Sequence, residues 1–204
     1  MGTIVADGLW SDVRSAGFPR GRPALFADRD GTLIDHVHYI SDPKYVQPVA
    51  AAVDAVRAAN AAGWAVVVVT NQSAIGRGYF GWEAFEAVQD RLYALFAEAG
   101  ATIDAAYAAS HPPPDAGGPE ASPWRKPAPG MFLRAAEDLG VDLAASLIAG
   151  DGAHDLAAGK AAGLHRGCLV PTGYGVRAEE QEKARSLADD GFAVTIGRLD
   201  GIGF

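Results

Sequence analysis

The chain of 204 residues has one cysteine, Cys168, so no disulfide can form within it. That fits a protein folded in a reducing compartment, and the expected location is the cytoplasm. Basic residues are also scarce, with 17 Lys and Arg against 25 Asp and Glu and a formal charge of −8. A nucleic-acid surface needs a basic stripe, so none is expected. The opening stretch Met1 to Pro23 mixes Asp7, Asp12, Arg14, Arg20 and Arg22 among short apolar groups. It reads as neither a secretory signal nor a membrane span, but as a lead-in to a domain over 24–204. Repeats and low-complexity tracts are absent too, and a content of 49% hydrophobic and 21% charged residues is that of an ordinary globular chain. One α/β domain with a well-buried core is the expectation.

What the sequence does have is a series of short apolar runs that stop at polar residues. Ala24-Leu25-Phe26-Ala27 ends at Asp28-Arg29-Asp30-Gly31-Thr32. This pattern predicts a buried parallel strand whose carboxyl end, where open α/β sheets bind ligands, carries two acids on one tight turn. Two such carboxylates can share a cation, or one can attack while the other moves a proton. Leu33 to Pro48 comes next as a loop over the site, with His36, His38 and Tyr39 along it. The two histidines either line the pocket or are simply solvated.

Val49, Val53 and Val56 recur at helical spacing in an Ala-rich segment that stops near Gly63. Trp64 to Val69 predicts a second strand, ending in Thr70-Asn71-Gln72-Ser73 before Gly76-Arg77-Gly78. Small polar groups at a strand-to-helix turn make either a phosphate cradle or a helix cap. A helix is expected from about Trp82 to Ala99, then a third strand over Thr102 to Ala108. His111 to Pro129 holds seven of the twelve prolines, a long connection of the kind that serves function when found in a compact domain. It ends in Trp124-Arg125-Lys126-Pro127 before a helix at Pro129 to Leu139. The two cations either bind phosphate or form a solvated surface pair.

Ser146 to Gly150 predicts a fourth strand, ending at Asp151, with Asp155 at the start of the next helix. One acid can hold a metal while the other supports it, and the alternative is a helix-dipole acid. Arg166 to Val170 predicts a fifth strand with Cys168 in the core, and Ala178 to Ala188 a solvated helix.

In order and character, Asp28-x-Asp30, Thr70, Lys126 and Gly150-Asp151-x-x-x-Asp155 resemble the four motifs of the haloacid dehalogenase (HAD) superfamily, over roughly Ala24 to Thr172. The resemblance implies a Rossmann-like HAD fold: a central parallel sheet with helices on both faces and no large cap domain. It also implies a phosphatase acting through an aspartyl-phosphate. Asp28 would be the nucleophile and Asp30 the acid and base, with Thr70 and Lys126 on phosphoryl oxygens. Mg2+ would sit on the Asp28 carboxylate, the Asp30 carbonyl and Asp151, with Asp155 in support. Within the superfamily, Asp28-Arg29-Asp30-Gly31-Thr32, the Tyr39 loop, the segment Thr70 to Gly78 and Arg125-Lys126-Pro127-x-Pro129-Gly130-Met131 are similar to the heptose bisphosphate and histidinol phosphate phosphatases. That likeness implies a small phosphorylated sugar or amino-alcohol phosphate as partner, with Tyr39, Asn71, Gln72, Arg77 and Arg125 on the substrate side. The first substrate it implies is D-glycero-D-manno-heptose 1,7-bisphosphate, which would lose its 7-phosphate. Histidinol phosphate, or a catalytically silent phosphate binder of the same fold, are the alternatives.

One departure stands out. That family commonly holds a structural zinc before Arg-Lys-Pro, where this chain has Ala108, Ser110, Ser122 and Trp124. No structural zinc is therefore expected.

Overall fold

The computed structural model of the protein describes residues 2–15 and 19–204. Among these, eight strands form one sheet: β1 (Thr3–Ala6), β2 (Leu9–Val13), β3 (Ala24–Ala27), β4 (Ala65–Asn71), β5 (Ala105–Ala109), β6 (Leu147–Gly150), β7 (Arg166–Leu169) and β8 (Ala193–Ile196). Their order is β1-β2-β5-β4-β3-β6-β7-β8, parallel from β5 to β8 and antiparallel where β1 and β2 join. In chain order the six parallel strands lie third, second, first, fourth, fifth, sixth, the doubly wound arrangement.

The chain starts this wall at β3, winds outward through β4 and β5, then returns to the other side of β3 for β6. Right-handed crossovers in opposite directions put the connecting helices on opposite faces. Helices α1 (Ala50–Ala61) and, after the short α2 (Ser73–Gly76), α3 (Trp82–Glu98) cover one face. Helices α4 (Gly130–Leu139), α5 (Ala153–Ala161) and α6 (Ala178–Ser186) cover the other. The strands alternate accordingly. Leu25, Ala27, Val66 and Val68 pack toward α1 and α3, while Ala24, Phe26, Val67 and Val69 pack toward α4 and α5. With both faces covered, β3 and the β-branched stretch Val66–Val69 are fully buried, as the continuous apolar runs require. Cys168 is buried in β7 as expected.

Three features differ from the sequence reading. The stretch read as a lead-in contributes β1 and β2, and β2 pairs along all of β5 from Leu9↔Ala109 to Val13↔Ala105. Ser11 and Asp12 are buried there and break the apolar pattern by which a strand is recognised. Asp104 secures the residues just past β2. Its main-chain oxygen accepts from Arg14 and Ser15 N–H at 2.9 and 3.2 Å, and its carboxylate accepts from Ser15 Oγ at 2.7 Å and from Val66 N–H at 2.8 Å. Met1 and residues 16–18 of that stretch lie outside the described residues. The second difference is β8, a short edge strand whose run Phe192 to Ile196 lies between Gly191 and Gly197 and is only partly buried. The second strand also runs to Asn71, so Thr70 and Asn71 sit on the rigid sheet rather than on a loop.

Candidate active site

β3 and β6 are neighbours from which the chain departs in opposite directions, and at such a switch point the loops part to leave a crevice. Asp28 comes directly after β3 and Asp151 directly after β6. A cavity of about 240 Å3 opens here, reached by Asp28, Asp30, Thr70, Asn71, Gln72 and Asp151 from the strand ends.

Behind it lies a buried ion cluster. Lys126, 2% exposed, donates from Nζ to Asp28 Oδ1 at 2.7 Å and to Val69 O at 2.6 Å, and lies 2.6 Å from Asp155 Oδ1. The ammonium group is thereby enclosed by three oxygens. Asp155 also accepts from Gly152 N–H at 3.0 Å and lies 3.3 Å from His154 Nε2. Burial works to raise the pKa of Asp155, yet His154, Lys126 and that N–H together hold it below the usual carboxylate range. Asp28 goes the other way: burial pushes it up, Asp155 and Asp30 add to the push, and Lys126 only partly offsets them. Burial, then Asp28 and Asp155, push Asp151 up to about 8. For Lys126 burial acts against the charge, but Asp155 and Asp28 keep its pKa above the ordinary value.

Three acids facing one lysine call for a further positive charge. Carboxylate oxygens of Asp28, Asp151 and Asp155 all lie within 4.8 Å of one another. A set made only of hard oxygen donors suits magnesium. The wall beside Asp151 is kept free of side chains: Gly31 (φ +85°) and Gly173 (φ +50°) lie against its Oδ2, and a Cβ at either would collide with the carboxylate. Tyr174 N–H fixes the same oxygen at 2.8 Å. The residues therefore fit a divalent ion, with Asp155 beside the group and engaged by Lys126 and Gly152 N–H.

Asp30 does not point into this cluster. Its carboxylate accepts from Arg29 Nε at 3.2 and 3.3 Å, from Arg29 Nη2 at 2.9 Å and from Gln72 Nε2 at 2.8 Å. Gln72 Nε2 also donates to Thr70 Oγ1 at 2.9 Å. Gln72, expected on the substrate side, is 5% exposed and spends its amide protons on these two neighbours.

The rim is aromatic and cationic. Tyr39, whose φ of +52° is unusual for a non-glycine residue, packs on His38 at 3.9 Å and on Tyr79 at 5.1 Å between ring centroids. His36 and His38 both line the cavity, and His36 meets the Tyr174 ring edge-on at 4.7 Å. Arg125 lines the cavity half-buried; burial and the nearby Arg77 lower its pKa. Arg77 itself is exposed outside the cavity wall. Sequence reasoning missed Arg29, His154 and Tyr174. Of these only Tyr174 carried a signal, standing between glycines just past the end of a predicted strand.

The proline-rich connection is fastened by polar contacts. Ser122 Oγ lies 2.9 Å from His111 Nδ1 and accepts from Arg125 N–H at 3.3 Å, while Arg125 Nη1 donates to His111 O at 3.1 Å. The β1–β2 turn braces this knot: Ser110 N–H donates to Gly8 O at 2.9 Å, and Gly8 packs against the His111 ring. Ser122 thus serves as a hydrogen-bonding hub of the connection.

The HAD-hydrolase-like family matches this chain over residues 123–192. The D-glycero-beta-D-manno-heptose-1,7-bisphosphate 7-phosphatase of Mesorhizobium japonicum is 46% identical over 172 residues, 82% of this chain and 78% of that protein. Among solved structures, a HAD-like phosphatase of Mesorhizobium loti superposes with a TM-score of 0.82 at 40% identity, covering 97% of this chain and 90% of the other. The D,D-heptose 1,7-bisphosphate phosphatase of B. bronchiseptica, complexed with magnesium and phosphate, gives 0.72 at 29% identity, covering 87% of this chain and 94% of the other. The chain is thus a phosphoric monoester hydrolase and belongs to the HAD superfamily, in the family of the heptose-1,7-bisphosphate 7-phosphatases.

Proposed function

We propose that this protein removes the 7-phosphate of D-glycero-D-manno-heptose 1,7-bisphosphate in the cytoplasm, using Asp28 as nucleophile and magnesium as cofactor. The observation that carries this reading is the convergence of Asp28 and Asp151, from two strands either side of the switch point, on one group with Asp155 and Lys126. The ion would be held by Asp28, the Asp30 carbonyl and Asp151, supported by Asp155. When bound, it neutralises charge on the phosphoryl oxygens and among the acids.

Lys126 engages Asp28 Oδ1, which leaves Oδ2 to attack phosphorus. As the Asp28–phosphorus bond forms, the bond from phosphorus to the C7 oxygen breaks, and Asp30 gives that oxygen its proton. Thr70 Oγ1 already accepts from Gln72, so its own proton is free to donate to a phosphoryl oxygen. In the second half, water attacks phosphorus, Asp30 takes its proton, and Asp28 leaves as carboxylate. The sum is ester plus water giving alcohol plus phosphate, with both acids restored. Catalysis here is positioning and charge neutralisation, which is what phosphoryl transfer requires. Arg125 and Tyr39, with the His36–Tyr174 wall, line the space for the rest of the substrate, and Arg77 stands just outside it.

The test is phosphate release with magnesium from the heptose 1,7-bisphosphate, histidinol phosphate and other sugar phosphates, with Asp28→Asn as control. Preferred turnover of the bisphosphate, abolished in Asp28→Asn, supports the reading. Equal release by that variant rules out the nucleophile, and preference for histidinol phosphate replaces the substrate.

A further inference from the structure

Arg29 is a cation buried where an apolar residue would pack more cheaply. It is 0% exposed, its guanidinium lies 5.0 Å from the centre of the Phe85 ring, and its Nη1 has no hydrogen-bond partner among the described residues. Buried ion pairs seldom justify themselves by stability, because desolvation consumes most of the attraction. What Arg29 does achieve is geometric. Its Nε and Nη2 form a fork on the Asp30 carboxylate, and the Phe85 ring beneath the guanidinium restricts its rotation. Asp30 keeps 20% of its side chain exposed and lines the cavity, so the fork sets its orientation without covering it. Gln72 adds a third donor and, through the second proton of the same amide nitrogen, ties Asp30 to Thr70.

We propose that Arg29 is the positioning residue for the proton-transferring carboxylate. It holds the Asp30 carboxylate in one plane at the cavity wall, and Gln72 couples that orientation to the phosphate-binding hydroxyl of Thr70. The inference rests on the reading of Asp30 as the acid that protonates the leaving oxygen.

A positioning role is separable from a structural one by the leaving group. An alkoxide from a sugar phosphate must receive a proton as it departs, whereas p-nitrophenolate leaves without one. The experiment compares wild type, Arg29→Lys, Gln72→Met and Asp30→Asn for steady-state turnover of a sugar phosphate. It also records single-turnover nitrophenolate release from p-nitrophenyl phosphate, which reports the first half-reaction alone, and thermal melting checks each fold. Arg29→Lys keeps the charge but loses the fork. Its kcat on the sugar phosphate is expected to fall by about tenfold or more with KM within about twofold, and nitrophenolate release by less than about threefold. Gln72→Met is expected to show the same split at smaller size, and it carries the test if Arg29→Lys does not fold. Equal losses on both substrates in these variants, beside a clear split in Asp30→Asn, overturn the role of Arg29 alone. No split in Asp30→Asn overturns the acid role itself, and this inference with it.

Discussion

The side chain of Asn71 holds the backbone of Lys126 at both ends, accepting from its N–H at 3.0 Å and donating to its C=O at 3.1 Å. Asn71 closes β4, and Lys126 ends a long connection 55 residues further on. The reciprocal bond therefore docks the loop to the sheet and delivers the ammonium group to Asp28. Asn71→Ala is expected to lower kcat by about tenfold through misplacement of Lys126, since small displacements of a positioned group are costly. Steady-state kinetics beside a melting curve check this, and a change in KM alone would place Asn71 on the substrate instead.

Removing the lysine is the harsher change. Lys126→Met leaves Asp28 and Asp155 buried without their partner, at a cost of about 3–5 kcal/mol. Activity should fall by more than about a hundredfold. Added magnesium should recover part of the melting temperature but not the activity, as calorimetry with and without the ion will show.

Stability without metal should depend on pH in a defined direction. Asp151 in the folded protein is pushed up to about 8, far above its value in the unfolded chain, and Asp28 is raised as well. The folded state then binds more protons than the unfolded one, so these groups cost stability as pH rises from about 4 through 8. Asp155, held low, acts oppositely and loses its contribution only as pH falls below the carboxylate range. Magnesium replaces the missing positive charge. The rise in melting temperature on adding it should therefore be larger at pH 8 than at pH 5.5.

Gly173 offers a test of the metal wall. Gly173→Ala places a Cβ against the Asp151 carboxylate at a φ of +50°, where an L-residue carries a cost of about 1–2 kcal/mol. Magnesium affinity, measured by titration calorimetry, should weaken by about tenfold or more. Unchanged affinity would mean that Asp151 has room to move aside.

The knot in the proline-rich connection should govern substrate binding more than chemistry. Ser122→Ala removes the contacts to His111 and to Arg125 N–H. KM for the bisphosphate is expected to rise by about three- to tenfold, the loss of one or two hydrogen bonds, with kcat nearly unchanged. A fall in kcat instead would show that the knot acts on Lys126.

Five of the six parallel strands, and the acids at the ends of two of them, were legible because a strand buried on both faces needs an uninterrupted apolar run, and a ligand site needs the abrupt stop. Asp28, Asp151 and Thr70 all carry that signature. Lys126 was legible as a cation delivered to the site, but its pairing with Asp28 and Asp155 depends on how the connection folds back over β4. Arg29 stood in plain view between two recognised acids, yet its work is defined by Phe85, 56 positions away, which no local pattern relates to it. β2 was hidden for a simpler reason. Buried Ser11 and Asp12 break its period, and its pairing partner β5 lies nearly a hundred residues downstream.

Placing β2 along β5 also means that the first strands of the chain shield hydrogen-bonding groups that would otherwise face solvent. Strip them away, and Ala105–Ala109 becomes a bare sheet margin of alanines around Tyr107, open to any extended segment that drifts past. A shortened protein would then be lost to self-association before its chemistry could be measured, so N-terminal truncation tests solubility first and catalysis second.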